Sequence, residues 1–200
     1  MAKRLFDALF SAGALLVLLP LLLGVAVWIK LDSPGPIFFR QVRVGRGGRP
    51  FKIFKFRSMH SDTQMFGPQL TVGDDTRITR AGILVRKYKI DEFPQFVNVV
   101  LGHMSLVGPR PEVPRYVALY PPAMRDVVLS VRPGITDLAS IVYRDESNFL
   151  AQSADPERTY VEQVLPAKLA LCERYVRERS FLGDLAIIGR SMRVSFSRQP

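Results

Sequence analysis

Ala8 to Ile29 is a run of 22 residues without a charge. At about 1.5 Å per residue, a helix of that length spans the hydrocarbon of a bilayer. No small-residue cleavage site follows, so a removed signal peptide is not expected. The run ties the chain to a membrane, and whatever follows folds within reach of that surface. Basic residues flank both ends, Lys3 and Arg4 before it and Lys30, Arg40, Arg43, Arg46, Arg49 and Lys52 after it, with Pro20 in the middle. A straight span puts one basic flank outside, against the positive-inside tendency. A helix that bends at Pro20, where one i→i−4 hydrogen bond is lost, returns both flanks to one face. A kinked single span and a re-entrant hairpin both stay open on this reading.

The chain has 200 residues, which suits one domain with a core of its own beyond the membrane segment. A net charge of +10 implies an anionic partner, whether headgroups, a phosphorylated substrate or nucleic acid. Thirteen Phe against six Tyr and one Trp suit a core or membrane surface better than a base-stacking platform. Cys172 is the single cysteine, which excludes an intramolecular disulfide and fits a reducing compartment. Two histidines at unrelated positions make a zinc site improbable, while a divalent ion held by carboxylates stays open.

Ser33-Pro34-Gly35-Pro36 is a turn cluster. Ile37 to Val44 and Phe51 to Phe56 read as two strands around the glycine-rich turn Gly45 to Pro50, a hairpin. Lys52 and Lys55 have opposite parity on the second strand, so one of them needs a partner if one face is buried. Ser61 to Thr79 reads as a polar loop whose Asp74 and Asp75 cap, turn or ligate a metal. Ile78 to Tyr88 has helical spacing and delivers Arg86 to the acidic pair Asp91-Glu92. That pair opens an apolar helical pattern with Pro94 in its first turn, where the helix dipole favours anions.

Further on, Arg110 is clamped between Pro109 and Pro111, and a backbone so restricted suits bidentate phosphate recognition. Val113 to Val131 is expected to be interrupted helix, and Ile141 to Tyr143 a short strand. Helical spacing resumes from Asp155, with Pro156 at its start. A break at Ser180 to Asp184 leads to an amphipathic stretch, Leu185 to Phe196, that suits anionic lipid or the core equally. No internal repeat or second domain is expected.

Several motifs together carry a resemblance: Ser33 to Gln41, Phe51 to Met59, Asp91-Glu92-Phe93-Pro94-Gln95, Met104 to Pro111 and Arg132 to Thr136. In this order the chain resembles the bacterial sugar transferases, the small monotopic phosphoglycosyl transferases. The resemblance implies transfer of a sugar 1-phosphate from a nucleoside diphosphate sugar to polyprenol phosphate, with Mg²⁺, at the cytoplasmic face of a bacterial inner membrane. It implies Asp91 as a nucleophile that becomes phosphorylated, Glu92 as the acid associated with Mg²⁺, and both as the metal site. Lys55, Arg86 and Arg110 match cations that bind the substrate phosphates, Asp184 a late functional acid, and Pro20 the membrane break.

The expected architecture is α+β: residues 1–30 a re-entrant membrane helix, and residues 31–200 a mainly helical catalytic domain with a small β-hairpin and amphipathic interfacial helices. It is the form without extra membrane spans. Anionic lipids are expected partners and nucleic acid is not; a homodimer is left open. His103 and Asp137 depart from the family pattern and bear on sugar choice or on packing. The competing classes are a membrane-anchored metal hydrolase of nucleotide sugars and a basic membrane-tethered binding module.

Overall fold

The apolar run lies in one long helix, α1 (Ala2–Asp32), which contains Pro20 and is long and apolar enough to cross a membrane. The computed structural model describes residues 2–61, 70–73 and 75–196, and the chain divides into two compact units. The first unit comprises Met1–Gln41, Lys52–Gln69 and Asp74–Gly102; the second comprises Val42–Phe51, Leu70–Gly73 and His103–Pro200.

From the first unit α1 leads into the hairpin strands β1 (Phe38–Val44) and β2 (Pro50–Phe56), an antiparallel two-stranded sheet, as expected from the sequence; Val42–Phe51, the turn end of the hairpin, belongs to the second unit. Gly47 closes the turn at φ +66, a conformation that glycine adopts without the Cβ penalty. The next helix, α2 (Arg80–Lys87), is capped by Thr79, whose side chain accepts from the Gly82 N–H. A 3-10 turn (Ile90–Glu92) and α3 (Gln95–Val100) follow. Val25 and Ile29 of α1 pack with Phe56, Ala81 and Val85 in a small core; full burial of each large apolar side chain is worth roughly 1.5–3 kcal/mol.

Both ends of α1 are docked on this unit. Arg4 donates to the Val99 (2.5 Å) and Val100 (2.9 Å) carbonyls at the C-terminal end of α3, where carbonyls run out of partners in the helical ladder; that of Val99 also accepts from the Gly102 N–H. At the other end Asp32 accepts from the Ala81 N–H at 3.0 Å. Between them the apolar side chains stand open, Leu16 at 72% and Val17 at 80% exposure.

The second unit is built on β3 (Ser105–Val107) and helices α4 (Pro114–Val117) and α5 (Pro122–Val128). Next come β4 (Gly134–Thr136), α6 (Leu138–Val142), α7 (Glu146–Ala151) and α8 (Pro156–Thr159). The last two helices are α9 (Leu165–Glu178) and α10 (Phe181–Phe196). Tyr116, Val128, Leu150, Tyr160, Val164 and Leu169 lie in its core. The strands pair in parallel, Ser105 with Gly134 and Val107 with Thr136. A Cβ on Gly134 would lie 2.1 Å from the Gly108 nitrogen, so the two chains approach where only glycine fits.

Three expectations are corrected. Ile141 to Tyr143 is no strand: Asp137 accepts from the Ser140 N–H and starts a helix over Leu138–Val142. The regular α-helix after the acidic pair begins at Gln95, because the pair itself occupies a 3-10 turn. The last helix begins at Phe181, so the break is shorter than Ser180 to Asp184 and Asp184 lies in the first turn. Asp75 takes the turn reading, its Oδ1 accepting from the Arg77 N–H at 3.0 Å. Hydrogen bonds from Arg77 engage both its oxygens and hold its carboxyl below the usual range; Asp74 lies outside the described residues.

Candidate active site

The chain enters the site through a strained turn. Lys89, just past α2, has φ +57, a left-handed conformation that costs a residue with a Cβ about 1–2 kcal/mol. Such strain gathers at functional sites. The turn delivers Asp91 and Glu92, both buried (7% and 9% exposed). From β2, Lys55 reaches in: its Nζ lies 2.6 Å from Glu92 Oε1 and 3.9 Å from Asp91 Oδ2. The parity argument is met, since Lys55 takes the partner while Lys52 is exposed.

Asn98 sets this geometry. It is fully buried at 0% exposure, and its side chain accepts from the Phe54 N–H (2.8 Å) and donates to the Lys52 carbonyl (2.9 Å). One amide thus satisfies both ladder groups on the edge of β2 and fixes α3 against the strand that carries Lys55. Sequence reading passed over it; the available signal is an asparagine inside an apolar helical stripe.

The electrostatics follow from burial. Desolvation pushes the Asp91 carboxyl above the usual aspartate range; the Lys55 charge pulls it back, Glu92 pushes it further, and Arg86 and Lys89 pull it down. Two adjacent buried carboxylates therefore need the surrounding cations to stay ionised. Arg86 contributes from α2, with Nη1 3.5 Å from Ser58 Oγ. Asp91 Oδ1 is buried without a hydrogen-bond partner. Lys55, Arg86, Asp91 and Glu92 are thus brought together.

Arg110 and Asp184 belong to the second unit. The Arg110 N–H donates to Asp137 Oδ2 at 3.3 Å, so Asp137 both caps α6 and holds the Pro109-Arg110-Pro111 backbone. Cys172 lies beneath, its Sγ 3.8 Å from the same carboxylate oxygen, and burial pushes its thiol far above the usual range, with Asp137 adding to the shift. Asp184 is buried, with the Tyr175 hydroxyl 2.8 Å from its Oδ1 and 3.1 Å from the Val107 carbonyl. His103 stacks on Phe51 at 5.7 Å between ring centroids.

A helix long and apolar enough to cross a membrane, packed on the unit that carries a buried, lysine-bridged pair of carboxylates, defines the class: a protein with an apolar N-terminal helix and a cation-ringed acidic site. The comparisons carry this further. The profile of the bacterial sugar transferase family matches residues 1–198, and the chain belongs to that family. It is 39% identical over 193 residues to the UDP-N-acetylgalactosamine-undecaprenyl-phosphate N-acetylgalactosaminephosphotransferase of Aeromonas hydrophila, covering 96% of this chain and 43% of that protein. It is 54% identical over 109 residues to the exopolysaccharide production protein PSS of Rhizobium leguminosarum bv. phaseoli, covering 54% of each. Against the UDP-glucose:undecaprenyl-phosphate glucose-1-phosphate transferase of Xanthomonas campestris pv. campestris it is 46% identical over 144 residues, 70% of this chain and 30% of the relative. The chain thus spans less than two thirds of the length of these relatives.

Proposed function

We propose that the protein transfers a sugar 1-phosphate from a UDP-sugar to undecaprenyl phosphate, releasing UMP, as a first step in building an exopolysaccharide or related glycoconjugate. The observation that carries this reading is the buried Asp91-Glu92 pair bridged by Lys55. The relatives named above, two of which carry both substrates in their names, support it.

Asp91 is the nucleophile. Its oxygen attacks the sugar-bearing phosphorus, the bond to the bridging oxygen breaks, and UMP leaves with the electron pair. An oxygen of undecaprenyl phosphate then attacks the same phosphorus, and the Asp91 carboxylate is regenerated. Splitting one displacement into two in this way is covalent catalysis. Lys55 and Arg86 offset the charge of the diphosphate, and Arg110, on its proline-restricted backbone, binds phosphate through its planar fork. Asp184 retains the role of a late functional acid.

The donor set fits Mg²⁺. Among the described residues no group of three or more His, Cys, Asp or Glu gathers, but Mg²⁺ is usually held by one or two carboxylates together with substrate phosphates. Glu92, with Asp91 beside it, would hold the ion, which when bound neutralises diphosphate charge.

The acceptor stays in the bilayer, so the site works at the headgroup plane on the cytoplasmic face of the inner membrane. Re-entry of α1 at Pro20 is supported by the docking of both its ends on one unit with the exposed stretch between them. The basic Arg190 and Arg193 beside exposed Leu182 and Met192 on α10 suit anionic lipid.

The direct test incubates the protein with a panel of UDP-sugars and undecaprenyl phosphate. UMP and lipid-linked sugar diphosphate are expected together; release of free sugar phosphate instead identifies a hydrolase. For topology, cysteines placed at residue 2 and in the 61–79 loop are expected to label from one side of sealed vesicles, and Pro20→Leu to move part of the population to opposite-side labelling. Labelling of the unmodified helix from opposite sides identifies a span. Arg110→Lys keeps the charge but loses the fork, and is expected to cut kcat/KM by about 10–100-fold with an unchanged melting temperature. Near wild-type turnover would make Arg110 a turn residue only.

A further inference from the structure

Gln95, in the first turn of α3, is buried at 1% exposure, yet its Nε2 has no hydrogen-bond partner. A stranded buried donor costs about 1–3 kcal/mol, and native proteins leave few of them without a reason such as catalysis or a bound group. Packing alone would be served by an apolar side chain of similar volume. The second stranded atom of this region is Asp91 Oδ1. The 3-10 turn, Phe93, Pro94 and α3 all keep right-handed helical backbone, with Phe96 N–H bonded to the Phe93 carbonyl and Val97 N–H to that of Pro94. These bonds run i→i−3, so residues 91 and 95 lie little more than one turn apart along a single right-handed segment. A buried acceptor and a buried donor, each unpaired, thus stand on one short helical segment.

We infer that Gln95 is a catalytic residue, whose Nε2–H donates to a non-bridging oxygen of the phosphoryl group as it passes to and from Asp91. This deepens the covalent reading above and rests on it. Asp91 Oδ1 forms the new bond to phosphorus while UMP departs, and the extra charge on the equatorial oxygens falls beside a donor that has nothing else to bind. In the second step the acceptor oxygen bonds to the same phosphorus, the bond to Asp91 breaks, and the contact persists until product leaves. A donor that finds its partner only when phosphorus arrives stabilises the transition state more than the ground state. It also explains glutamine over an apolar residue at a fully buried position.

The test uses the full chain in nanodiscs, with UDP-glucose, UDP-galactose, UDP-N-acetylglucosamine and UDP-N-acetylgalactosamine and no lipid acceptor. With whichever donor reacts fastest, wild type is expected to release a burst of UMP equal to the enzyme present. Gln95→Met is expected to slow that burst about 100–1,000-fold, the usual cost of removing one oxyanion donor. KM for the donor should stay near wild type. Its melting temperature should hold or rise, because a buried unpaired donor has been replaced by an apolar group. Gln95→Glu, similar in shape but anionic, is expected to slow the burst at least as much. A burst within about threefold of wild type in Gln95→Met, which is under 1 kcal/mol of barrier, overturns the inference while leaving the covalent reading intact. So does a rate loss that in both variants merely follows a fall in melting temperature. A wild type that gives no burst with any of the four donors overturns the covalent reading, and the role of Gln95 with it.

Discussion

Asp91→Asn is expected to reduce sugar-phosphate transfer below detection, a loss of at least about 10⁴-fold, because an amide cannot form the acyl phosphate that carries the reaction. Fold stability is expected to hold. Burial already pushes the Asp91 carboxyl toward its neutral form, so replacing it with a neutral amide removes a charge that the protein desolvates at a cost. Lys55 keeps its closer partner, Glu92, at 2.6 Å. The measurement pairs UMP release with intact-protein mass spectrometry. Wild type incubated with donor alone gains a sugar-phosphate mass on the peptide containing Asp91 and loses it when undecaprenyl phosphate is added; the variant shows neither. An Asp91→Asn protein that transfers at the wild-type rate refutes covalent catalysis. Direct attack by the lipid phosphate would remain, with both acids reduced to metal ligands.

The elements that could be read from sequence are those whose pattern runs long enough to repeat. The uncharged run, the alternating hairpin strands and the helix now bounded at Arg80–Lys87 all show it. The parallel pair escaped because each strand has three residues and its partner lies far along the chain; no period can be read from three residues. Its trace is the pair Gly108 and Gly134, whose need for close approach appears only once the strands meet. Ile141 to Tyr143 misled through its β-branched and aromatic content, although Asp137 three residues before Ser140 is a helix-start signal.

The site divides in the same way. Asp91, Glu92 and Lys55 stand out because charge amid apolar sequence needs an explanation. Asn98 and Gln95, neutral and inside a helical stripe, give no such warning, and only the burial of their amides exposes what they hold or lack. Asp137, left open between sugar choice and packing, caps α6 and holds the Arg110 backbone.

Arg57→Met is expected to cost about 2–5 kcal/mol, since it strands the buried Ser33 carbonyl at roughly 1–3 kcal/mol, takes one of two hydrogen bonds from the Ile29 carbonyl and leaves a poorly filled site. The guanidinium is 1% exposed. Its Nη2 donates to the carbonyls of Ser33 (2.7 Å) and Ile29 (3.1 Å), and its Nη1 to Pro34 and to Ser61 Oγ. These carbonyls lie at and just beyond the end of α1, where the helical ladder runs out. Burial lowers the Arg57 pKa from its ordinary value and the Asp32 charge raises it again, so α1 itself supplies a charge that offsets part of the cost of burying this arginine. Gly35 completes the lock: at φ +122 its missing side chain leaves room for Nη1, which a Cβ would meet at 2.2 Å. Against a typical total stability of about 5–15 kcal/mol, the loss should appear as a large fall in melting temperature in detergent and as protease cleavage between α1 and β1. Arg57→Lys keeps the charge without the fork and is expected to fall between. Gly35→Ala should damage the same lock, so the double variant with Arg57→Met is expected to lose less than the sum of the singles. An Arg57→Met protein that melts within about 2 °C of wild type, less than even 1 kcal/mol would shift a domain of this size, would mean that α1 is held by its apolar contacts with Phe56 and Val85 alone.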